Sequence, residues 1–159
     1  MATELNPGDM APDARLTTPE GGALTLSQLR GRPLVLYFYP KDDTSGCTRE
    51  AQDFSHLKAA FDSAGVSILG VSKDPPAKHA KFAAKYGLTV SLASDEDGSV
   101  CEAFGTWIEK SLYGRKYMGI DRATFLIDAD GRIAKVWRKV KVPGHVDQVL
   151  AAAEALTKA

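Results

Sequence analysis

The chain has 159 residues, 44% of them hydrophobic, with 20 Lys plus Arg set against 20 Asp plus Glu. A chain of this size buries roughly 70% of the surface its unfolded form exposes, so one core can form without a disulfide or metal scaffold. The formal net charge of zero excludes the global attraction on which nucleic-acid and anionic-membrane binders rely, and no apolar run approaches the ~20 residues of a membrane span.

With no internal repeat and no linker, residues 1–159 read as a single domain with a loop-like terminus over 1–14. Met1 to Asp9 has neither a basic n-region nor an apolar h-region, so no secretory signal is expected there and the expected location is the cytoplasm. Pro7, Gly8, Pro12, Pro19 and the Gly21-Gly22 pair punctuate the start and leave a short strand candidate at Arg15 to Thr18. Thr25 to Leu29 suits one helical turn. Leu34 to Tyr39 (LVLYFY) is a continuous apolar and aromatic run, the pattern of a strand buried on both faces.

From Ser45 to Ala64 the period becomes helical, with Ala51, Phe54, Leu57 and Phe61 all within about 80° of Cys47 on the helical wheel. Val66 to Ser72 is the next buried strand, and Pro75 to Tyr86 is a helix with proline at its start and Gly87 after its end. A short strand at Val90 to Ala93 and a short helix at Ser99 to Phe104 follow. Ala123 to Ile127 and Arg132 to Val140 read as a hairpin turned by Asp128-Ala129-Asp130-Gly131, and Val146 to Leu156 is the closing helix. This order calls for an α/β fold, a mixed sheet flanked by helices.

The chemistry concentrates in YFYPKDDTSGCTRE, residues 37–50. The strand stops at Pro40, which cannot donate to a sheet ladder. A polar loop, Lys41 to Asp43, leads to Thr44 and Ser45, either of which can cap the helix. Cys47 then lies in the first turn, among unpaired backbone N–H groups at the positive end of the helix dipole, where a thiolate is favoured. Ionisation alone is not enough. An unperturbed thiol is about 3% ionised at neutral pH, so complete ionisation gains roughly thirtyfold, whereas enzymatic accelerations start near ~10⁶-fold. A reactive Cys47 needs further donors aimed at the leaving atom.

There are two cysteines, Cys47 and Cys101, with no C-x-x-C between them. This argues against a disulfide framework and a structural metal. His56 lies opposite Cys47 on its helix, and His79 and His145 sit in other helices without ligand spacing, so the histidines read as exposed or structural. Lys135, Trp137, Lys139 and Lys141 put three cations and one aromatic on one strand face, a poor nucleic-acid platform on a neutral domain.

Pro40-x-x-x-Thr44-x-x-Cys47 is similar to the peroxidatic signature of peroxiredoxins. FYPKDDTSGCT, SDEDGSVCEAFGTW and DRATFLIDADGRI resemble the peroxiredoxin Q group, also called bacterioferritin comigratory protein, and the likeness runs over about residues 5–156. The resemblance implies a thioredoxin-like fold, a monomer, and reduction of hydrogen peroxide and organic hydroperoxides without metal or other cofactor. It implies that Cys47 attacks the O–O bond and becomes a sulfenic acid. Thr44 would hydrogen-bond the peroxide, Pro40 would shield the thiolate from water, and Arg122 would stabilise the thiolate and the developing charge. Arginine suits this because it stays protonated and offers several fixed donors. Gly46 would let substrate approach closely, and Glu50 either orients Arg122 or is a solvated acid of the first turn.

A sulfenic acid must be returned to thiol. The positions where members of the group carry a resolving cysteine are Gln52, Ala83 and Ala84 here. Two routes stay open: direct attack by thioredoxin, glutaredoxin or a small thiol, or a disulfide with Cys101, which needs Cα atoms within about 7 Å. Two other functions also stay open on the same fold, a thiol-disulfide oxidoreductase, which normally needs a vicinal cysteine pair, and a non-catalytic holdase.

Overall fold

The computed structural model describes residues 4–158, so residues 1–3 and 159 of the single-domain reading lie outside the described residues. Fifteen elements follow in order. They are β1 (Arg15–Thr17), β2 (Ala23–Thr25), a 3₁₀ turn (Leu26–Leu29), β3 (Leu34–Phe38), α1 (Ser45–His56), α2 (Lys58–Ser63), β4 (Ser67–Ser72) and α3 (Pro76–Tyr86). After these come β5 (Ser91–Ser94), α4 (Ser99–Ala103), β6 (Trp107–Leu112), β7 (Arg115–Ile120), β8 (Ala123–Ile127), β9 (Ile133–Trp137) and α5 (His145–Lys158).

Seven strands form one mixed sheet in the order β2-β1-β5-β4-β3-β8-β9. β3 runs parallel to β4 and antiparallel to β8, so it is central and has no exposed edge. All five of its residues are buried. Because side chains alternate along a strand, Leu34, Leu36 and Phe38 enter one core, and Val35 and Tyr37, continued by Tyr39, enter another. The second core takes Phe54 of α1, Phe61 of α2, Phe82 of α3 and Val149 of α5. The first is covered by α4, by Leu5, Ala11 and Leu16 near the start of the chain, and by Ile120. The helices are therefore unevenly divided between the two faces.

Three expectations change. The helix read over Ser45 to Ala64 is two helices that meet at Leu57, whose backbone has φ −99° and ψ 6°. Just before this break the Ser55 carbonyl accepts a hydrogen bond from the Thr89 hydroxyl (3.4 Å) and the Ser55 hydroxyl accepts one from the Thr89 N–H (3.1 Å), so a neighbouring loop engages the helix end. β9 ends at Trp137, so Lys139 and Lys141 do not continue its face, and Lys139 turns to a positive φ of 49°.

The third change is a hairpin, β6 with β7, that sequence patterning does not announce. Its strands, WIEKSL and RKYMGI, are largely exposed and heavily charged, so burial imposes no clean alternation. Its turn uses Tyr113 (φ 51°) and Gly114 (φ 79°), the paired positive φ values of a tight hairpin turn, without the Asn-Gly or Asp-Gly pair that usually marks one.

Candidate active site

Cys47 is the third residue of α1, at the end of the βα connection that leaves the centre of the sheet. The ladder to β4 extends one residue past β3, with the Tyr39 N–H donating to the Val71 carbonyl at 3.0 Å, and then stops at Pro40. Thr44 is the N-cap residue with an extended backbone, and its carbonyl accepts the Thr48 N–H at 2.8 Å. The capping expectation fails at the side chain, since neither Thr44 nor Ser45 caps α1. The Thr44 hydroxyl donates instead to the Lys41 carbonyl at 2.9 Å. That leaves its oxygen lone pairs available to accept from a ligand hydroxyl.

The Cys47 side chain is 2% exposed and belongs to the core built on Tyr37 and Phe54. Its Sγ accepts a hydrogen bond from Nη2 of Arg122 at 3.3 Å. Arg122 stands between β7 and β8, and its Nη1 donates to Oε1 of Glu50 at 2.8 Å. Glu50 is fully buried and ion-paired to Arg122, so it is not the solvated first-turn acid that its place on the wheel left open. Burial pushes its carboxyl up to about 7 against the opposing pull of Arg122. Glu50 and the thiol in turn hold the Arg122 guanidinium above its ordinary value, against its own desolvation.

Gly46 has a neighbour that the sequence reading did not anticipate. A Cβ placed there would lie 3.1 Å from Nη2 of Arg122, so it is the guanidinium that comes close to this glycine. Pro40 is exposed beside the loop.

Cys101 lies elsewhere. It is fully buried in α4 within the core of Leu36, Phe38 and Phe104, on the face of β3 opposite Cys47. Burial, reinforced by Asp95, pushes its thiol well up. Asp95 is also bound to the Cys101 N–H at 2.7 Å. Gln52 and Ala83 are half-buried and Ala84 is exposed.

The histidines divide as expected, with a further consequence. His56 is exposed. His145 is buried against Trp137, shares a 2.8 Å hydrogen bond with the Thr124 hydroxyl, and is driven down to about 4 by burial and by the charge on Arg122. His79 is fully buried with Asp42. No sequence pattern links these two residues, which are 37 positions apart. Among the described residues no three His, Cys, Asp or Glu side chains are grouped as a metal site, and no helix is long and apolar enough to cross a membrane.

The family model of the AhpC/TSA family matches residues 7–136. A protein of Coxiella burnetii named putative peroxiredoxin bcp is 50% identical over 143 residues, 90% of this chain and 95% of the relative. Peroxiredoxin Bcp of Escherichia coli K12 is 44% identical over 146 residues, 92% of this chain and 94% of the relative. Among solved structures, Xanthomonas campestris peroxiredoxin Q superposes with a TM-score of 0.88 at 46% identity, covering 98% of both chains. A second structure from that organism, of bacterioferritin comigratory protein, comes from a study of its alkyl peroxide reduction activity (TM-score 0.88, 44% identity, 99% of both chains).

Proposed function

The chain belongs to the AhpC/TSA family and is a thiol peroxidase with a thioredoxin-like fold, and on that premise we propose that Cys47 is the thiol that reduces hydrogen peroxide and organic hydroperoxides. The observation that carries this reading is the Sγ to Nη2 contact at 3.3 Å, which sets a fixed cation on the only sulfur of the α1 turn. The Cys47 thiolate attacks one peroxide oxygen, the O–O bond breaks, and the electron pair leaves with the distal oxygen. That oxygen takes up a proton to become water or an alcohol, and Cys47 is left as a sulfenic acid.

Each neighbour has a part that its chemistry supports. Arg122 has several donors and is fixed by Glu50, so it can serve the thiolate and then a peroxide oxygen without reorganising. The Thr44 hydroxyl, already donating to Lys41, accepts from the peroxide O–H and orients it. Pro40, at the head of the loop, would shield the thiolate from water and brings no competing N–H donor. The first-turn N–H groups add partial positive charge where the oxyanion forms.

Regeneration is read as a one-cysteine cycle. A thiol of thioredoxin or of another reductant displaces water from the sulfenic acid, and a second reductant thiol then releases Cys47 as thiol. The burial of Cys101 in the opposite core supports an external reductant, because the central strand stands between the two sulfurs. Neither function weighed against this one, disulfide reductase or holdase, has a specific feature of the site in its favour.

The test is peroxide consumption with a thioredoxin system or dithiothreitol. Cys47→Ser should abolish it, and a variant that retained wild-type turnover would remove Cys47 from the mechanism.

A further inference from the structure

The loop that delivers Thr44 and Cys47 is tied to α3 and to the end of β4 through buried polar side chains that the peroxide chemistry does not use. Asp42 is 2% exposed, and both carboxylate oxygens are occupied: Oδ1 accepts the Tyr39 hydroxyl at 2.6 Å and Oδ2 faces Nδ1 of His79 at 2.6 Å. The other ring nitrogen of His79, Nε2, lies 3.0 Å from the Ala93 carbonyl. A carbonyl only accepts, so Nε2 carries a hydrogen and the ring is fixed at both edges, to β5 and to the loop. The Asp42 N–H donates to Asp74 at 2.7 Å, and Asp74 is held in turn by Ser72 (2.7 Å) and Lys78 (3.1 Å).

The next residue is held as well. Asp43 has a positive φ of 61°, uncommon for a residue with a side chain, and its carboxylate is bound by Lys85 at 2.8 Å and by the Tyr86 hydroxyl. Two consecutive residues are thus anchored on α3, and Thr44 follows them directly.

Burying a polar pair such as Asp42 and His79 is a poor source of net stability, because desolvation offsets most of the attraction. Such a pair does specify one geometry, since each partner satisfies the other only at short range. The geometry it specifies here is the backbone of the Asp42–Thr44 turn, which sets where the Thr44 hydroxyl and the start of α1 stand relative to Cys47 and Arg122.

We propose that His79 is a positioning residue for the peroxide reaction: by clamping Asp42, with Lys85 and Tyr86 on Asp43, it holds the loop so that Thr44 and Cys47 are in register with Arg122. The inference rests on the reading of Cys47 as the reacting thiol and adds α3 to the machinery as the support of its loop.

The experiment measures the second-order rate of hydrogen peroxide with the reduced protein, and the melting temperature, for wild type, His79→Leu, His79→Asn, Lys85→Met and Cys47→Ser. His79→Leu removes both ring donors and should slow the reaction about tenfold or more, the scale at which misplacement acts. His79→Asn places an amide N–H near the position of Nδ1 and should recover most of that loss. Lys85→Met alters an exposed side chain, keeps the core intact, and should slow the reaction about two- to fivefold with an unchanged melting temperature. The inference is overturned if His79→Leu lowers the melting temperature at a wild-type rate, or if His79→Asn is as slow as His79→Leu. Should His79→Leu fail to fold, a wild-type rate in Lys85→Met overturns it. A Cys47→Ser protein that still reacts would overturn the underlying assignment of Cys47, which is a separate outcome.

Discussion

The Arg122 guanidinium lies directly against Gly46: a methyl group added at that glycine would stand 3.1 Å from Nη2, the same nitrogen that donates to Cys47 Sγ at 3.3 Å. The contact is tighter than van der Waals packing allows, so Arg122 must retreat by a few tenths of an ångström when the methyl is present. Gly46→Ala should therefore slow peroxide reduction by about tenfold, since fixed donors lose effect quickly with displacement. Gly46 is the second residue of α1, where the helix gain of alanine over glycine is opposed by the shift of Arg122 against Glu50, so the rate rather than the melting temperature is the readout. A rate equal to wild type would show that Arg122 does not need this position.

Glu50 makes the stability depend on pH. Its folded carboxyl is pushed up from an ordinary value of 4.5 to about 7, chiefly by burial. Between those values the folded protein holds a proton that the unfolded chain has released. The contribution of Glu50 is thus complete below pH 4.5 and is lost as pH rises through about 7. Glu50→Gln keeps an acceptor for Arg122 and cannot titrate. The melting temperature of wild type minus that of Glu50→Gln should fall by roughly 3 °C or more from pH 5 to pH 8, and a difference that stays constant would refute the shift.

Cys101 should be dispensable. Cys101→Ala leaves a small cavity in the core of Phe38 and Phe104, at a cost on the order of 1 kcal/mol. Its rate with hydrogen peroxide should stay within about twofold of wild type, because Cys101 touches nothing at the site. Treated with one equivalent of peroxide, the wild-type protein should gain one oxygen at Cys47 and yield a dimedone adduct there. Loss of two hydrogens with no adduct would instead mean a Cys47 to Cys101 disulfide, and with it an opening of the fold.

The local parts of the site were legible in the sequence because they follow from chain geometry. Pro40 ends a strand, Thr44 opens a helix, and Cys47 falls in its first turn with Ala51 and Phe54 below it. Only the family likeness singled out Arg122, which comes 75 positions after Cys47. Glu50 was left between two roles, because an angle on a wheel says nothing about which neighbour covers that face.

What the sequence determined by itself was most of the buried strands and helices, the position of Cys47 at a helix start, and the absence of cysteine at Gln52, Ala83 and Ala84. Tertiary structure alone decided the rest: that Arg122 packs on Gly46, that Asp42 meets His79, and that Cys101 lies across the sheet from Cys47. The physical reason is range. Periodicity and capping are set by neighbours within about four residues, whereas the face of the sheet a distant segment covers is chosen by packing of the whole chain.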